Sequence, residues 1–170
     1  MININKFSTT YFIRELSSND VDIIFDLCIN NPLYYEHCPP LVSRQTILDD
    51  LQALPPNKTF DDKYFIGYFL NGELIAVMDF IKEYPNKETC FIGFFMMNKK
   101  YQGNNIGSSI IDELSNYLKS INYKYIRLGY VKTNIQAKTF WKKNGFKDTG
   151  IISKQDLYDV VVLEKELHQR

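Results

Sequence analysis

The segment "YQGNNIGSS" at residues 101–109 carries residue types that suit the binding of an anion. It lies between the apolar run "CFIGFFMM" and the amphipathic run "IIDELSNYLKSI", so we expect a loop that begins a helix shortly after a strand. Such a loop presents unpaired backbone N–H groups at the positive end of the helix dipole. Gly103 and Gly107 would let a phosphate approach closely, and Asn105 tolerates positive φ. The alternative is a polar turn that only begins the helix.

A second segment, "NIQAKTFWKKNG" at residues 134–145, is predicted to form a helix. Asn134 is its expected N-cap, and Gly145 is its expected stop. Phe140 and Trp141 on this helix either contact a ligand or pack in the core.

Hydrophobic periodicity divides the rest of the chain into strands and helices in the order β-α-α-β-β-β-α-β-α-β. The Asn71-Gly72 pair between two β-rich runs predicts a tight hairpin. The strand before the loop and the strand after its helix should be parallel and adjacent, because one helix connects them. The predicted strands are 9–16, 63–70, 73–81, 88–97, 123–131 and 159–167, with one more short strand near 146–151; the predicted helices are 17–30, 44–54, 106–121 and 134–145.

These elements predict an α/β (α+β) fold with a mixed, mostly antiparallel central sheet of six to seven strands and helices on both faces. Residues 1–170 are expected to form a single domain. Ser43 is the predicted cap of the second helix. The segment "NPLYYEHCPP" at 31–40 is predicted to be irregular, because each of its three prolines removes a backbone donor and fixes φ. The strand at 88–97 is apolar enough to be buried on both faces.

Composition excludes several classes of function. The chain has 20 basic and 20 acidic residues, which argues against general nucleic-acid binding. No apolar run reaches the roughly 20 residues of a membrane span, and the N-terminus lacks the features of a signal peptide. Cys28, Cys38 and Cys90 follow no CxxC spacing, and His37 and His168 are the only histidines, so no metal site is expected. We expect a cytoplasmic protein with neither a membrane nor a nucleic acid as its partner.

The segment "FFMMNKKYQGNNIGSSII" resembles the acetyl-CoA signature of the GNAT superfamily of N-acetyltransferases. That signature reads Arg or Gln, two residues, Gly, one residue, then Gly or Ala. Gln102 and Gly107 match its first and last positions, and Asn105 stands where the first motif glycine belongs. The second CoA segment of the family is matched by Asn134, Ala137, Phe140-Trp141 and Gly145-Phe146. The resemblance runs from about residue 10 to 167 and is specific over 91–146.

The resemblance implies that the strand at 91–97 splays from the strand at 125–131 and that pantetheine lies in the gap. A bulge in the earlier strand would aim a backbone N–H at the thioester oxygen, and that donor maps near Phe95. Met97 would pair with the pantetheine amides. The implied CoA contacts are Phe95, Met96, Met97, Gln102, Gly103, Asn104, Asn105, Ile106, Gly107, Ser108, Ser109, Asn134, Ala137, Phe140, Trp141 and Lys143; Lys142 is the alternative to Lys143, and either lysine is otherwise solvated.

An amine acceptor needs a base, because primary amines are mostly protonated at neutral pH. Asp79 interrupts the apolar run "IAVMDFI" and is expected either to face solvent or to act as this base at a cleft. Glu88 is the alternative, although it also fits a surface position at the start of a strand.

The acid that protonates the leaving thiolate is a tyrosine of the second CoA helix in many GNATs, but Trp141 matches that position here. Tyr130 is the first substitute, and departure of the thiolate without an acid is the alternative. The irregular segment is expected to form the amine pocket, or simply to fill a gap. Its pocket residues would be Tyr34, Tyr35, Glu36 and His37, of which the two tyrosines are further candidates for the acid.

The implied function is transfer of an acetyl group from acetyl-CoA to the primary amine of a small-molecule or peptide acceptor, with a small molecule favoured. Direct attack in a ternary complex is expected, because Cys90 has no histidine near it in sequence. Three alternatives remain: another short acyl group, a catalytically weak acyl-CoA-binding module, and an unrelated α/β domain without a nucleotide. The family also allows a homodimer in which the final strand pairs across the interface.

Overall fold

A seven-stranded mixed sheet forms the centre of the protein in the computed structural model, which describes residues 1–167. Its strands are β1 (Phe12–Glu15), β2 (Lys63–Leu70), β3 (Glu73–Ile81), β4 (Thr89–Met97), β5 (Tyr125–Val131), β6 (Lys147–Lys154) and β7 (Asp159–Glu166). They lie in the order β1-β2-β3-β4-β5-β7-β6. Every neighbouring pair is antiparallel except β4 and β5. The predicted mixed, mostly antiparallel sheet is therefore confirmed, as is the parallel pair around the crossover helix.

Helices cover both faces of this sheet. They are α1 (Val21–Ile29), α2 (Pro32–His37), α3 (Arg44–Gln52), α4 (Ile106–Ser120) and α5 (Ile135–Lys143), with 3-10 turns at Ile4–Lys6, Ser18–Asp20, Phe60–Asp62 and Lys99–Tyr101. Helices α4 and α5 bury residues such as Ile110 and Trp141 in one apolar core. Helices α1 and α3 bury Ile24 and Ile47 in a second core on the opposite face.

Two local signals in the sequence are confirmed. Asn71 and Gly72 both have positive φ, 50° and 81°, which is the conformation that a two-residue hairpin turn requires. Ser43 caps α3, because its hydroxyl accepts a hydrogen bond from the Thr46 N–H at 3.1 Å.

The prediction that residues 31–40 are irregular is wrong for Pro32–His37, which form α2. Pro32 occupies the first turn of this helix, where its missing N–H would have no intrahelical partner in any case. The helix ends at His37, and Pro39 and Pro40 follow it. The prolines therefore lie at the two ends of a short helix and do not prevent it from forming.

The possible homodimer stays a prediction. Within one chain, strand β7 lies between β5 and β6 and bonds to both of them, so pairing of β7 across a dimer would require one of these neighbours to be displaced. The edges of the sheet are β1 and β6.

Strands β4 and β5 separate after only four paired positions. Pairing begins at Thr89 with Tyr125 and ends at Ile92 with Leu128. Beyond that point, residues 93–97 of β4 and 129–131 of β5 have no partner in each other. The sheet therefore opens into a gap at its centre, as the resemblance implied.

A β-bulge at Gly93 marks the start of the gap. Asp79 of β3 pairs with Phe94 while the next residue, Phe80, pairs with Ile92, so Gly93 is the extra residue on β4. Gly93 is exposed, and the two phenylalanines that follow it are half-buried. The prediction that β4 is buried on both faces thus fails where the sheet opens.

Candidate active site

The gap between β4 and β5 forms a cleft of about 980 Å³. The first turns of α4 and α5 border it, as does the segment from Asn30 through α2. Among residues 1–167, the charged side chains in its lining are Lys99 and Lys143, so the cleft is positively charged.

The backbone of β4 turns polar groups into this cleft. The Asn98 N–H donates to the Ile75 carbonyl of β3 at 2.8 Å. Because bonding direction alternates along a strand, the N–H and C=O groups of Phe95 and Met97 point to the opposite edge, where β5 has diverged. The N–H that was expected near Phe95 is thus directed into the gap.

The carbonyl of Met97 is already engaged. It accepts hydrogen bonds from the side-chain amides of Asn31 and Gln102, both at 3.1 Å. A ligand that pairs with Met97 therefore has the N–H to use, and the carbonyl only if it displaces these amides.

The side chain of Gln102 anchors the start of the loop through hydrogen bonds. Its Nε2 donates to Asn31 Oδ1 at 2.6 Å as well as to Met97, and Asn31 in turn donates to the Leu27 carbonyl of α1 at 3.0 Å. The side chain thus joins the loop to the residue that precedes α2. Sequence reasoning missed Asn31, because nothing near it in the chain signals a contact 71 residues away.

Residues 103–108 form the loop and the first turn of α4, which the sequence predicted to be an anion cradle. Gly103 and Asn105 have positive φ, 83° and 60°. The first backbone bond of α4 runs from the Ser109 N–H to the Asn105 carbonyl at 3.0 Å. The N–H groups of residues 106–108 therefore precede the intrahelical ladder and remain available to a ligand. Lys143 reaches the cradle, because its Nζ donates to Asn105 Oδ1 at 3.1 Å.

Close packing against Phe140 and Met97 leaves little room for a side chain at Gly107, and the sequence alone did not indicate this contact. Gly107 is buried, and a Cβ at this position would stand 3.2 Å from the Phe140 ring and 3.5 Å from Met97. The absence of a side chain thus lets α4 pack on the aromatic face of α5.

Asn134 and Trp141 hold α5 against the cleft. Asn134 is buried and caps the helix, because its Oδ1 accepts from the Ala137 N–H at 3.0 Å. Trp141 is 8% exposed and packs among three aromatic rings, those of Phe95, Phe140 and Phe146, with centroid distances of 5.9, 4.9 and 5.1 Å. Trp141 therefore packs in the core, as one of the two possibilities for this residue predicted, and it also lines the cleft.

The two lysines at the end of α5 differ in their partners. Lys142 pairs with Asp148 at 2.5 Å, whereas Lys143 reaches Asn105. Tyr130 lies near the first of these pairs and is 7% exposed in the core beneath α5. Burial, with a smaller contribution from the Asp148 carboxylate, raises the pKa of Tyr130.

Asp79 lies in neither of the places that the sequence allowed. It is buried beside the cleft, outside its lining, and its Oδ2 accepts from Lys63 Nζ at 2.9 Å. Burial raises the pKa of Asp79 although Lys63 opposes this effect. Glu88 pairs with Lys124 at the start of the strand, and both side chains are about half exposed, which agrees with the surface alternative.

Helix α2 bridges the open end of the gap. Tyr34 lines the cleft and packs edge-on against Phe94 at 5.6 Å. His37 Nδ1 contacts Thr133 Oγ1 at 2.8 Å, just after β5. Cys38 Sγ lies 3.4 Å from the Tyr158 hydroxyl, just before β7. Tyr158 lines the cleft and was missed, because no motif surrounds it.

Most of the predicted site residues come together in this cleft. Those in its lining are Tyr34, Phe95, Met96, Met97, Gln102, Gly103, Asn105, Ile106, Gly107, Ser108, Tyr130, Asn134, Ala137, Phe140, Trp141 and Lys143. Those outside the lining are Tyr35, Glu36, His37, Asp79, Asn104 and Ser109. The four-residue amine pocket expected at 34–37 thus reduces to Tyr34, because a helix presents only one side to the gap.

In residues 1–167, we find no group of three or more His, Cys, Asp or Glu side chains arranged to hold a metal ion. His168 lies outside the described residues. None of the helices in the same range is both long and apolar enough to cross a membrane.

The model of the acetyltransferase (GNAT) family matches residues 30–146, which is more than half of the chain. The chain belongs to this family. A comparison with curated proteins gave no match.

Solved structures share the fold of this GNAT protein. An acetyltransferase from Thermus thermophilus has a TM-score of 0.73 at 16% identity, covering 93% of this chain and 97% of that one. The PaiA N-acetyltransferase from Thermoplasma acidophilum, in complex with coenzyme A, has a TM-score of 0.65 at 18% identity, with coverage of 93% and 99%. The ribosomal-protein-S18-alanine N-acetyltransferase from Escherichia coli has a TM-score of 0.65 at 12% identity, with coverage of 94% and 96%. At these identities the likeness concerns the fold alone.

The conformation of Asn105 yields a testable prediction for this GNAT protein. Asn105→Gly should bind coenzyme A about as tightly as the natural protein, since glycine adopts the same positive φ. Asn105→Val should bind it roughly tenfold more weakly, because a left-handed conformation costs about 1–2 kcal/mol for a residue with a Cβ. Calorimetric titration with coenzyme A measures both. Equal affinity of the glycine and valine variants would show that the cradle does not depend on this conformation.

Proposed function

We propose that the protein transfers an acetyl group from acetyl-CoA to the primary amine of a small-molecule acceptor, by direct attack in a ternary complex. The observation that carries this proposal is the gap between β4 and β5, which opens beside an anion cradle at the N-terminus of α4.

The residues of the cleft fit coenzyme A. The diphosphate would lie on residues 103–108, where free N–H groups, the helix dipole and Lys143 favour negative charge. Pantetheine would run along the gap, with the N–H groups of Phe95 and Met97 and the side-chain amide of Asn134 as its polar neighbours. The presence of coenzyme A in the PaiA structure of the same fold supports this reading.

Acetyl-CoA supplies an activated acyl group as a thioester. The Phe95 N–H is the proposed donor to the thioester oxygen, because it points into the gap just past the bulge at Gly93. A fixed donor aimed at an oxygen that gains charge contributes about 3–4 kcal/mol in comparable acyl-transfer sites. The bulk of Phe94, Phe95 and Met96 around this point favours a short acyl group over a longer one.

Direct attack by the amine is favoured over an acyl-cysteine intermediate. Burial raises the pKa of Cys28 to about 11 and that of Cys90 to about 12, so neither is a thiolate at neutral pH. Both also lie outside the lining of the cleft. Cys38 lines it but contacts the Tyr158 hydroxyl, with no histidine bonded to its thiol among residues 1–167 to act as a base.

A small acceptor is favoured by the contacts that bridge the open end of the gap. The bonds from His37 to Thr133 and from Cys38 to Tyr158 join α2 to the far side of the cleft. They narrow the approach on the side where Tyr34 and Phe94 form the wall. A narrower approach favours a small amine over a bulky polypeptide.

Acetylation can be tested together with the placement of the diphosphate. Release of the CoA thiol from acetyl-CoA is measured with a panel of small amines, amino acids and peptides, and mass spectrometry identifies the acetylated product. Succinyl-CoA serves as the control for acyl length. The proposal expects turnover with at least one small amine and acetyl-CoA. Coenzyme A binding without acetylation of any amine would support the alternative of a binding module.

Ser108→Asp should weaken coenzyme A binding by roughly ten- to a hundredfold, because a carboxylate then faces the diphosphate in the cradle. An acidic residue in the first turn also stabilises a helix, so the fold should be retained. Ser109→Asp is the matched control, since Ser109 lies outside the lining of the cleft and its N–H already bonds within the helix. Equal affinities of the two variants would place the diphosphate elsewhere.

Tyr130 is the proposed acid that protonates the leaving thiolate. Its raised pKa keeps the hydroxyl protonated at neutral pH, and it lines the cleft on the side of α5. Tyr130→Phe should lower kcat for amine acetylation by roughly 100-fold and remove the alkaline limb of the pH–rate profile, with KM for acetyl-CoA unchanged. An unaltered profile would exclude Tyr130 from this role.

A further inference from the structure

The cleft has lining residues on both faces of the sheet. Leu128 of β5 belongs to the core beneath α4 and α5, so its neighbour Gly129 faces the opposite side, because side chains alternate along a strand. Tyr34 and Phe94 of the same lining pack with the core beneath α1 and α3. We call this half of the cleft the acceptor chamber; its lining includes Tyr34, Phe91, Gly93, Phe94, Gly129 and Val160.

Two glycines, Gly93 of β4 and Gly129 of β5, form the floor of the acceptor chamber. Each follows the last paired residue of its strand, and both are exposed. The backbone itself therefore borders the chamber at the point where the two strands diverge. The side chain of Val160 leans over one edge of this floor, since a Cβ at Gly129 would stand 2.5 Å from Val160 Cγ1. The floor thus leaves room for the body of an acceptor beside the gap.

Aromatic rings form the walls of the acceptor chamber. Tyr34 of α2 packs edge-on against Phe94, with the ring centroids 5.6 Å apart. Phe91 packs edge-on against Tyr84, with a centroid distance of 5.3 Å. The three rings of the lining are half-buried, so each keeps part of its surface free to contact a ligand. Aromatic rings bury a large apolar area against a partner, so walls of this kind suit an apolar body.

Two ion pairs on this face of the sheet are closed within the protein. Lys63 Nζ lies 2.9 Å from Asp79 Oδ2, and Arg127 Nη2 lies 2.9 Å from Glu164 Oε2. None of these four residues belongs to the lining, and among residues 1–167 no other carboxylate belongs to it. The two lysines of the lining lie in the turn before the cradle and on α5, beside the proposed cofactor site. A second charge on the acceptor would therefore lose its water in the chamber without gaining a partner there, which is costly.

We propose that the acceptor is a primary amine on an uncharged, apolar body. This inference rests on the proposed acetyl transfer and narrows its acceptor from small amines in general. The uncharged amine nitrogen bonds to the acetyl carbon, the C–S bond breaks, and one amine proton passes to the CoA thiol. The body lies over Gly93 and Gly129 and is enclosed by Tyr34 and Phe94. Val160 is a specificity-determining residue, because its side chain covers the edge of the floor at Gly129.

Two pairs of amines that differ in one charge test this proposal on the natural protein. Heptylamine and hexamethylenediamine have nearly the same length, and para-(aminoethyl)benzamide and para-(aminoethyl)benzoate differ in the charge of a group far from the amine. Release of the CoA thiol from acetyl-CoA gives kcat/KM for each amine. In each pair the uncharged member should have a kcat/KM at least about tenfold higher, because the charged group would be buried without a partner.

Val160→Asp places a carboxylate over the floor, and Val160→Asn is the matched control, since it has nearly the same shape without the charge. The ratio of kcat/KM for hexamethylenediamine to that for heptylamine should be at least about tenfold higher in the Asp variant than in the Asn variant. KM for acetyl-CoA should be the same in both variants, which also shows that both are folded. Equal ratios in two folded variants would overturn the placement of the acceptor over Gly129. The amine pairs decide the proposal on the natural protein even if a variant does not fold.

Failure of this inference and failure of the proposed function give different results. If no amine of a wide panel is acetylated, whether its body is charged or uncharged, the proposed function fails. Acetyl transfer stands and the apolar acceptor is excluded if hexamethylenediamine or the benzoate is acetylated at least as efficiently as its uncharged counterpart. The same conclusion follows if only amines with a charged body are acetylated.

Discussion

The separation of two parallel strands is the constraint on which the rest of this structure depends. Strands β4 and β5 pair as far as Ile92 and Leu128 and then diverge, so the backbone groups of Phe95 and Met97 lose the partner that a continuous sheet would provide. Backbone polar groups away from water need such a partner. A ligand with amide groups of its own can supply it, and for this reason we propose that pantetheine lies in the gap. The bulge at Gly93 lies where the gap begins and sets the direction of the first free N–H.

The two sides of the gap carry different kinds of side chain. On the side of α4 and α5, the cradle, Lys143 and the aromatic rings around Trp141 suit an anionic cofactor. On the side of α1 and α3, the wall of the gap is aromatic, since Tyr34 packs edge-on against Phe94. Gln102 and Asn31 connect the two sides, because their side-chain amides meet at the Met97 carbonyl. These hydrogen bonds therefore couple the loop before α4 to the start of α2.

Features set by neighbours in the chain could be predicted from the sequence, and features set by distant contacts could not. The Asn71-Gly72 turn and the Ser43 cap follow from local backbone preferences, and the parallel β4–β5 pair follows from the length of its connection. Pro32 misled the prediction, because proline disfavours the interior of a helix but suits its first turn. The bond from Gln102 to Asn31, the contact of Cys38 with Tyr158 and the packing of Gly107 on Phe140 join residues 71, 120 and 33 positions apart. No local pattern encodes such pairs, and the resemblance to the family pointed to Gln102 without its partner.

A crystal structure of the protein with bound coenzyme A tests the central claim most directly. Pantetheine should lie between β4 and β5 with an amide oxygen within hydrogen-bond distance of the Phe95 or Met97 N–H, and the diphosphate should rest on the N–H groups of residues 106–108. The two strands should still separate after Ile92 and Leu128. Coenzyme A bound outside the gap, or a gap that closes by further pairing of β4 with β5, would contradict this account of the site.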